Sequence, residues 1–259
     1  MATLNALLLR TARAALLIGS VAGLLACGAL QGQPDAAAPA SAAANVRLEA
    51  FNHTWIEHRL PTKRPTEYSL VQRDGREAIA ARAESSVSVM RRDLRVEPAQ
   101  LGRLKLSWLV EDLSADADVA QRDLDDSPAR LVLAFDGDRG RFSPRDAAVS
   151  ELAMLVTGEP LPYATLMYVW CAQRPPGSVI ENARTSRIRK LVIESGPGGL
   201  GRWIDYERDL VADFERVFGE PPGALVGMGL MTDADNTRSR ARTWYGAPQL
   251  LSRDVAAPR

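Results

Sequence analysis

Residues 104–110 read Leu104-Lys105-Leu106-Ser107-Trp108-Leu109-Val110. In an extended chain Leu104, Leu106, Trp108 and Val110 share one face, while Lys105, Ser107 and Leu109 share the other. A period of two specifies a strand with one buried side. Downstream, Arg130-Leu131-Val132-Leu133-Ala134-Phe135 and residues 163–171 are apolar on both faces, as interior strands of a layered fold are. Upstream, residues 68–73 and 76–82 flank Asp74-Gly75, a pair that readily adopts the positive φ of a hairpin turn. Residues 85–90, 188–194, 224–231 and 243–245 are further strand candidates.

Two helical patterns interrupt them. Residues 145–156 place Ala148, Leu152 and Leu155 at helical spacing. Residues 206–218 carry Leu210, Val211, Phe214, Val217 and Phe218 on one side and stop at Gly219 before Pro221-Pro222. A parallel α/β fold needs a helix between most strands, and these are missing. The pattern predicts a mostly β chain: a single jelly-roll-like β-sandwich over residues 46–250 with one or two helices packed on it.

The 259 residues hold 32 basic and 32 acidic side chains, 46% hydrophobic and 25% charged residues, 2 His and 2 Cys. This is ordinary globular composition, long enough to bury a core. Zero net charge argues against nucleic-acid binding, which needs a surplus of Lys and Arg. Two His and two Cys leave no basis for a structural zinc site or a disulfide scaffold.

The first 26 residues contain Arg10 and Arg13 and no acid, followed by a short apolar run from Ala14. That is the layout of a secretory signal, and the run is shorter than the roughly 20 residues of a membrane-spanning helix. Its end, Leu24-Leu25-Ala26-Cys27, is similar to a bacterial lipobox, which implies a signal peptide over residues 1–26 and acylation at Cys27. Acyl chains at about 0.8 kcal/mol per buried CH₂ would hold the chain on a membrane. Gly28 after the cysteine, where Asp would retain the protein at the inner membrane, implies a periplasm-facing, lipid-anchored outer-membrane location. Residues 27–45, rich in Ala, Pro, Gln and Ser, read as a tether, and residues 251–259 as a flexible tail. Loss of the signal leaves 30 basic against 32 acidic residues. Cys171, in an apolar run, reads as a buried small hydrophobe.

Two acidic clusters stand at expected strand ends, where sandwich loops often carry function. One is Asp123-Leu124-Asp125-Asp126 with Arg130 beyond it; the other is Asp233-Ala234-Asp235-Asn236-Thr237. Asp125, Asp126, Asp233, Asp235 and Asn236 are hard oxygen ligands of the kind calcium takes, so Asp126, Asp233 and Asp235 are candidate metal ligands. Arg238 and Trp244 stand where an EF-hand loop needs Gly and Glu, so this is not an EF-hand. The same residues also suit turn caps and ion pairs, with Arg130 neutralising Asp126, or a catalytic carboxylate pair. Trp203, Trp244 and Tyr245, next to expected loops, are candidates for stacking on a sugar ring. Leu166, Tyr168 and Trp170 share a face and read as core. His53 and His58 lie in one segment, and no serine has a nucleophile-elbow context, so a Ser-His-Asp triad lacks support. Gly227 and Gly229 fall on one face of a strand and admit close approach by a facing aromatic or by a ligand lying on the sheet.

The strings DDSPARLVLAFDG, LPYATLMYVW, RDLVADFERVFGEPPG and GMGLMTDADNT followed by WYG, in this order, are similar to the bacterial domain-of-unknown-function family three-zero-four-seven. The resemblance spans about residues 55–246. It implies an exported protein with a β-sandwich of the sort carbohydrate-binding modules use, and no assigned activity. It matches Asp233, Asp235 and Tyr245 to that family's aspartates and tyrosine. An acid often follows the YG pair in the family, where this chain has Ala247, and the lipobox is an addition. Three functions follow as expectations: a lipoprotein binding carbohydrate or another envelope ligand, a glycan hydrolase or lyase using Asp126 or Asp233 with Asp235, or a structural lipoprotein.

Overall fold

The alternation expected at residues 104–110 is one strand of a two-sheet sandwich. The structure, a computed structural model, describes residues 55–252, all within one compact unit. The signal over residues 1–26, Cys27, the tether over 27–45 and most of the 251–259 tail lie outside the described residues, as does His53.

The seven-stranded sheet runs β1 (Ile56–Arg59), β4 (Val87–Val96), β11 (Leu225–Asp233), β6 (Ser127–Phe135), β7 (Ala164–Cys171), β9 (Ile188–Ser195), β8 (Val179–Glu181). The second sheet runs β10 (Trp203–Asp209), β5 (Arg103–Val110), β12 (Arg240–Gly246), β3 (Arg76–Glu84), β2 (Glu67–Arg73), with β13 (Gln249–Leu251) also paired to β5. From β3 to β6, and again from β10 to β12, consecutive strands change sheets, which closes the sandwich around one core. Only β7 and β9 pair in parallel among the described strands. The Asp74-Gly75 turn has φ of 53° and 75°, the mirror-image turn that matches strand twist.

Between the sheets, Trp108, Trp170, Tyr168, Phe135 and Tyr245 are buried. Leu166, Tyr168 and Trp170 face this core, and Met228 and Leu230 of β11 join them. The intervening Gly227 and Gly229 therefore belong to the sheet's outer face. Cys171 is a buried free thiol.

The helices correct two expectations. α2 is Leu210–Phe218, starting four residues later than the expected 206–218 helix. Trp203–Asp209 alternates with period two, with Ile204 and Tyr206 packed on the core, and pairs with β5. The switch occurs at Asp209, whose carboxylate accepts from the Val211 and Ala212 amides. Leu210, Phe214 and Val217 then pack inward, Phe214 edge-on to Phe135 at 4.7 Å. The helix ends on Gly219 at φ 73°.

α1 spans Pro144–Thr157, but Ala148, Leu152 and Leu155, the residues at helical spacing, are exposed, Leu155 at 83%. The side that docks is polar. Asp146 and Ser150, one turn apart, are buried. The Asp146 carboxylate accepts from Thr185 Oγ1 (2.5 Å), Ser186 N (2.9 Å), Ser186 Oγ (2.8 Å) and Ser143 Oγ (2.7 Å). Hydrophobic spacing thus misreads which side of α1 is inside. Among the described residues no helix is long and apolar enough to cross a membrane.

Burial alone would raise the Asp146 pKa, but hydrogen bonds from Thr185, Ser143 and Ser186 outweigh it and hold the carboxyl well below its usual range. A depressed folded pKa contributes stability above about pH 4, lost as pH falls and the carboxylate protonates. Asp146→Asn should cost about 2 kcal/mol at pH 7 by urea unfolding. The gap to the parent should narrow below about pH 4; a gap independent of pH would contradict this anchor.

Candidate functional site

The outer face of the seven-stranded sheet is where the sequence candidates meet. Register places Gly227 beside Ala134, Gly229 beside Val132, and Met231 beside Arg130. Across β6, Arg130, Val132 and Ala134 lie beside Val169, Met167 and Thr165 of β7. The loop before β6 covers one part of this face, where Val119 packs on Val169 and Val192. The rest is open.

A groove of about 460 Å³ lies over Val132, Ala134, Gly227 and Gly229, with Arg91, Asp136, Arg139 and Glu159 among its other lining residues. Among the described residues, none of the nearest atoms within 4 Å of where a Cβ on either glycine would stand belongs to an aromatic ring. A Cβ on Gly229 would sit 2.7 Å from Val89 Cγ1, so the strand also needs a glycine there for β4 to pair closely. His58 lines the groove, and Arg91 pairs with Glu159 at 2.6 Å. Tyr163 stands at its end, its ring stacked on Phe142 with centroids 5.8 Å apart and its hydroxyl donating to Glu220.

Along the same strands lies a second depression of about 280 Å³, over Arg130, Met167, Lys190, Met231 and Asp233. From Gly227 to Asp233 is about 20 Å at the rise of a strand. The two acidic clusters converge here, although they are more than a hundred residues apart in sequence. Arg130 Nη2 donates to Asp125 Oδ1 at 3.0 Å and to the Asp125 carbonyl at 2.7 Å, and lies 3.1 Å from Asp233 Oδ2. Lys190 Nζ donates to the other Asp125 oxygen at 2.5 Å and to the Val119 carbonyl at 2.6 Å. Both cations are almost completely buried, at 3% and 2% exposure. Burial, with Arg130 nearby, brings the Lys190 pKa down to about 8. Burial, reinforced by Asp126 and Asp235, pushes Asp233 well above the usual carboxylate range despite Arg130.

Asp126, Asp233 and Asp235 each place an oxygen within 4.8 Å of the others. Each oxygen donor nonetheless has a protein partner. Asp126 accepts from Asn236 N (3.1 Å), Thr237 N (2.8 Å) and Thr237 Oγ1 (2.6 Å), which holds the turn after β11. Asp233 faces Arg130, and Asp235 pairs with Lys63. The Asn236 side chain donates to the Arg122 carbonyl at 2.7 Å. The protein's own cations and amides thus supply what a calcium ion would supply, and Arg130 neutralises Asp125 and Asp233 in place of Asp126. Lys190, Lys63 and Glu159 were not singled out in the sequence. Lys190 sits in an apolar strand next to Leu191, Val192 and Ile193, and a cation on an otherwise interior strand was the available signal.

Two candidates are misplaced. Tyr245 is 1% exposed, because on β12 it alternates inward with Thr243. Its hydroxyl lies 2.7 Å from the Met231 carbonyl and 2.8 Å from Thr232 Oγ1, joining the second sheet to β11. It cannot stack on a ligand. Trp244 points the other way, to the outer face of the second sheet, where Leu109 separates it from Trp203. Arg73 covers Trp244 at 4.5 Å and Arg76 lies over Trp203 at 5.1 Å.

Two outcomes test this description. Tyr245→Phe should lower stability by about 1.5 kcal/mol by urea unfolding, since it leaves the inter-sheet acceptors unpaired. Millimolar calcium should leave Tm unchanged. A rise of several degrees would show that a dication binds the native carboxylates in preference to their present partners.

No curated protein matches the chain. Solved structures similar to it include the xyloglucanase domain of NopAA, a type three effector from Sinorhizobium fredii, in complex with cellobiose, at 9% identity and TM-score 0.42, covering 78% of this chain and 94% of that one. The catalytic domain of Humicola grisea Cel12A, in complex with a soaked thio cellotetraose, gives 9% identity and TM-score 0.43 over 79% and 95% of the two chains. The family 11 xylanase from Neocallimastix patriciarum gives 9% and 0.39 over 80% and 94%. Residues 53–249, most of the chain, match the family described as Protein of unknown function (DUF3047), and the chain belongs to that family.

Proposed function

We propose that this chain is an exported lipoprotein of the cell envelope whose β-sandwich binds a carbohydrate chain along the outer face of the seven-stranded sheet. The observation that carries the binding reading is the groove floored by Gly227, Gly229 and Ala134 between charged side chains. A flat floor of glycines and small side chains admits a sugar ring close to the backbone, and Arg91, Asp136, Arg139 and Glu159 offer donors and acceptors to hydroxyls. The rims contribute hydrogen bonds, while Tyr163 is already engaged by Phe142 and Glu220. The envelope address rests on the Arg10/Arg13 region and the Leu24-Leu25-Ala26-Cys27 string.

A second reading, glycan hydrolysis or cleavage, is favoured by Asp233. A carboxyl whose pKa burial raises, next to Asp235, has the character of a general acid. Asp126 suits that role less, because three donors hold its oxygens.

Ala134→Phe, which fills the floor from a half-buried position, should abolish binding of oligosaccharides in calorimetry while the far-ultraviolet spectrum stays that of the parent. Undiminished binding would remove the groove from the account. Cys27→Ala should move the protein from the detergent to the aqueous phase on phase separation; continued partition into detergent would contradict acylation there. Release of reducing ends from a polysaccharide, lost in Asp233→Asn, would favour the hydrolytic reading over binding alone.

A further inference from the structure

The two depressions on the outer face differ in charge. Over Ala134 and Gly227 the ionised groups balance, Arg91 and Arg139 against Asp136 and Glu159. In the second depression Lys63, Arg122, Arg130, Arg184 and Lys190 meet Asp125, Glu181 and Asp233, with Asp126 and Asp235 beside them. Lys63, Arg130 and Lys190 are each paired to a carboxylate. Arg122 and Arg184 are exposed, and no acid lies within ion-pair distance of either among the described residues. A separate observation points to the same place. Arg130 is 3% exposed, lines this depression, and its Nε is buried without a hydrogen-bond partner. The Nε edge is the part of its guanidinium that no protein acceptor meets.

We propose that this second depression takes the carboxylate of an acidic sugar, so that the chain bound along the sheet is a uronate-bearing glycan. The proposal rests on the carbohydrate reading above and names its substrate class. Arg122 and Arg184 form the entrance and supply the charge that the floor, already paired, does not. The planar guanidinium fork matches a carboxylate. A phosphate dianion would meet stronger repulsion from Asp125 and Glu181 than a single negative charge would.

The test is calorimetry on the full chain in detergent at low ionic strength. It compares hexagalacturonate with the same hexamer fully methyl-esterified, which keeps the backbone and removes the charge. The acid should bind at least tenfold more tightly than the ester. Arg122→Ala/Arg184→Ala, two exposed changes that should leave Tm in place, should bring acid affinity down to that of the ester. Equal affinity for acid and ester in the parent, or full acid affinity in the double variant, would overturn the proposal while leaving the groove as a glycan site. Displacement of the acid by inorganic phosphate at lower concentrations than by monomeric galacturonate would overturn the carboxylate assignment. Binding of neither hexamer would count against the carbohydrate reading itself.

Discussion

Arg130 is the constraint on which the open sheet face depends. It sits on β6, the middle strand of the seven-stranded sheet, with its guanidinium on the solvent side and yet almost wholly buried. A buried cation is tolerated only when counter-charges come with it, and removing one partner of such a pair costs about 3–5 kcal/mol. Asp233 arrives from β11, and Asp125 from the loop before β6. Asp125 in turn neutralises Lys190 from β9, whose ammonium also ties down the Val119 carbonyl. The loop before β6 is thereby fixed over one part of the sheet. Next to Val119, Asp118 clamps the same loop by accepting from two nitrogens of Arg174 at 2.8 and 2.9 Å. That bidentate pair holds the Asp118 carboxyl far below its usual range.

With that loop pinned on one side and Tyr163, Phe142 and the Arg91–Glu159 pair on the other, an open strip remains along β11 and β6. Gly227 and Gly229 keep it bare. The same acidic residues that would suit a dication are therefore part of the scaffold, because their oxygens are engaged by Arg130, Lys63 and the Asn236–Thr237 turn. The binding surface lies beside them, on the strip they hold open.

Much of the fold was legible because its signals are local. The period of two in residues 104–110, the Asp74-Gly75 turn and the Gly219 stop depend on the chain's own sterics. Both acidic clusters were legible as strand-end loops, but that Asp125 and Asp126 meet Asp233 to Thr237 follows only from the pairing of β6 with β11. The 203–209 segment was less legible, since Tyr206 and Leu210 also fit a helical period and only pairing with β5 decides between them. The docking side of α1 was hidden because Asp146 finds its partners at Thr185 and Ser186, about forty residues away. Trp244 and Tyr245 were assigned together as ligand contacts, but neighbours on a strand point to opposite faces, and which face is interior is set by the sandwich. The role of Lys190 needs the loop that covers it.

The account stands on a ligand lying against the glycines of β11. The direct measurement is the amide spectrum of ¹⁵N-labelled protein titrated with an oligosaccharide. The account predicts that the Gly227 and Gly229 amides shift with the β6 residues beside them, while the indole signals of Trp203 and Trp244 on the opposite sheet stay in place. Saturable shifts confined to those two indoles, with Gly227 and Gly229 unmoved, would contradict it.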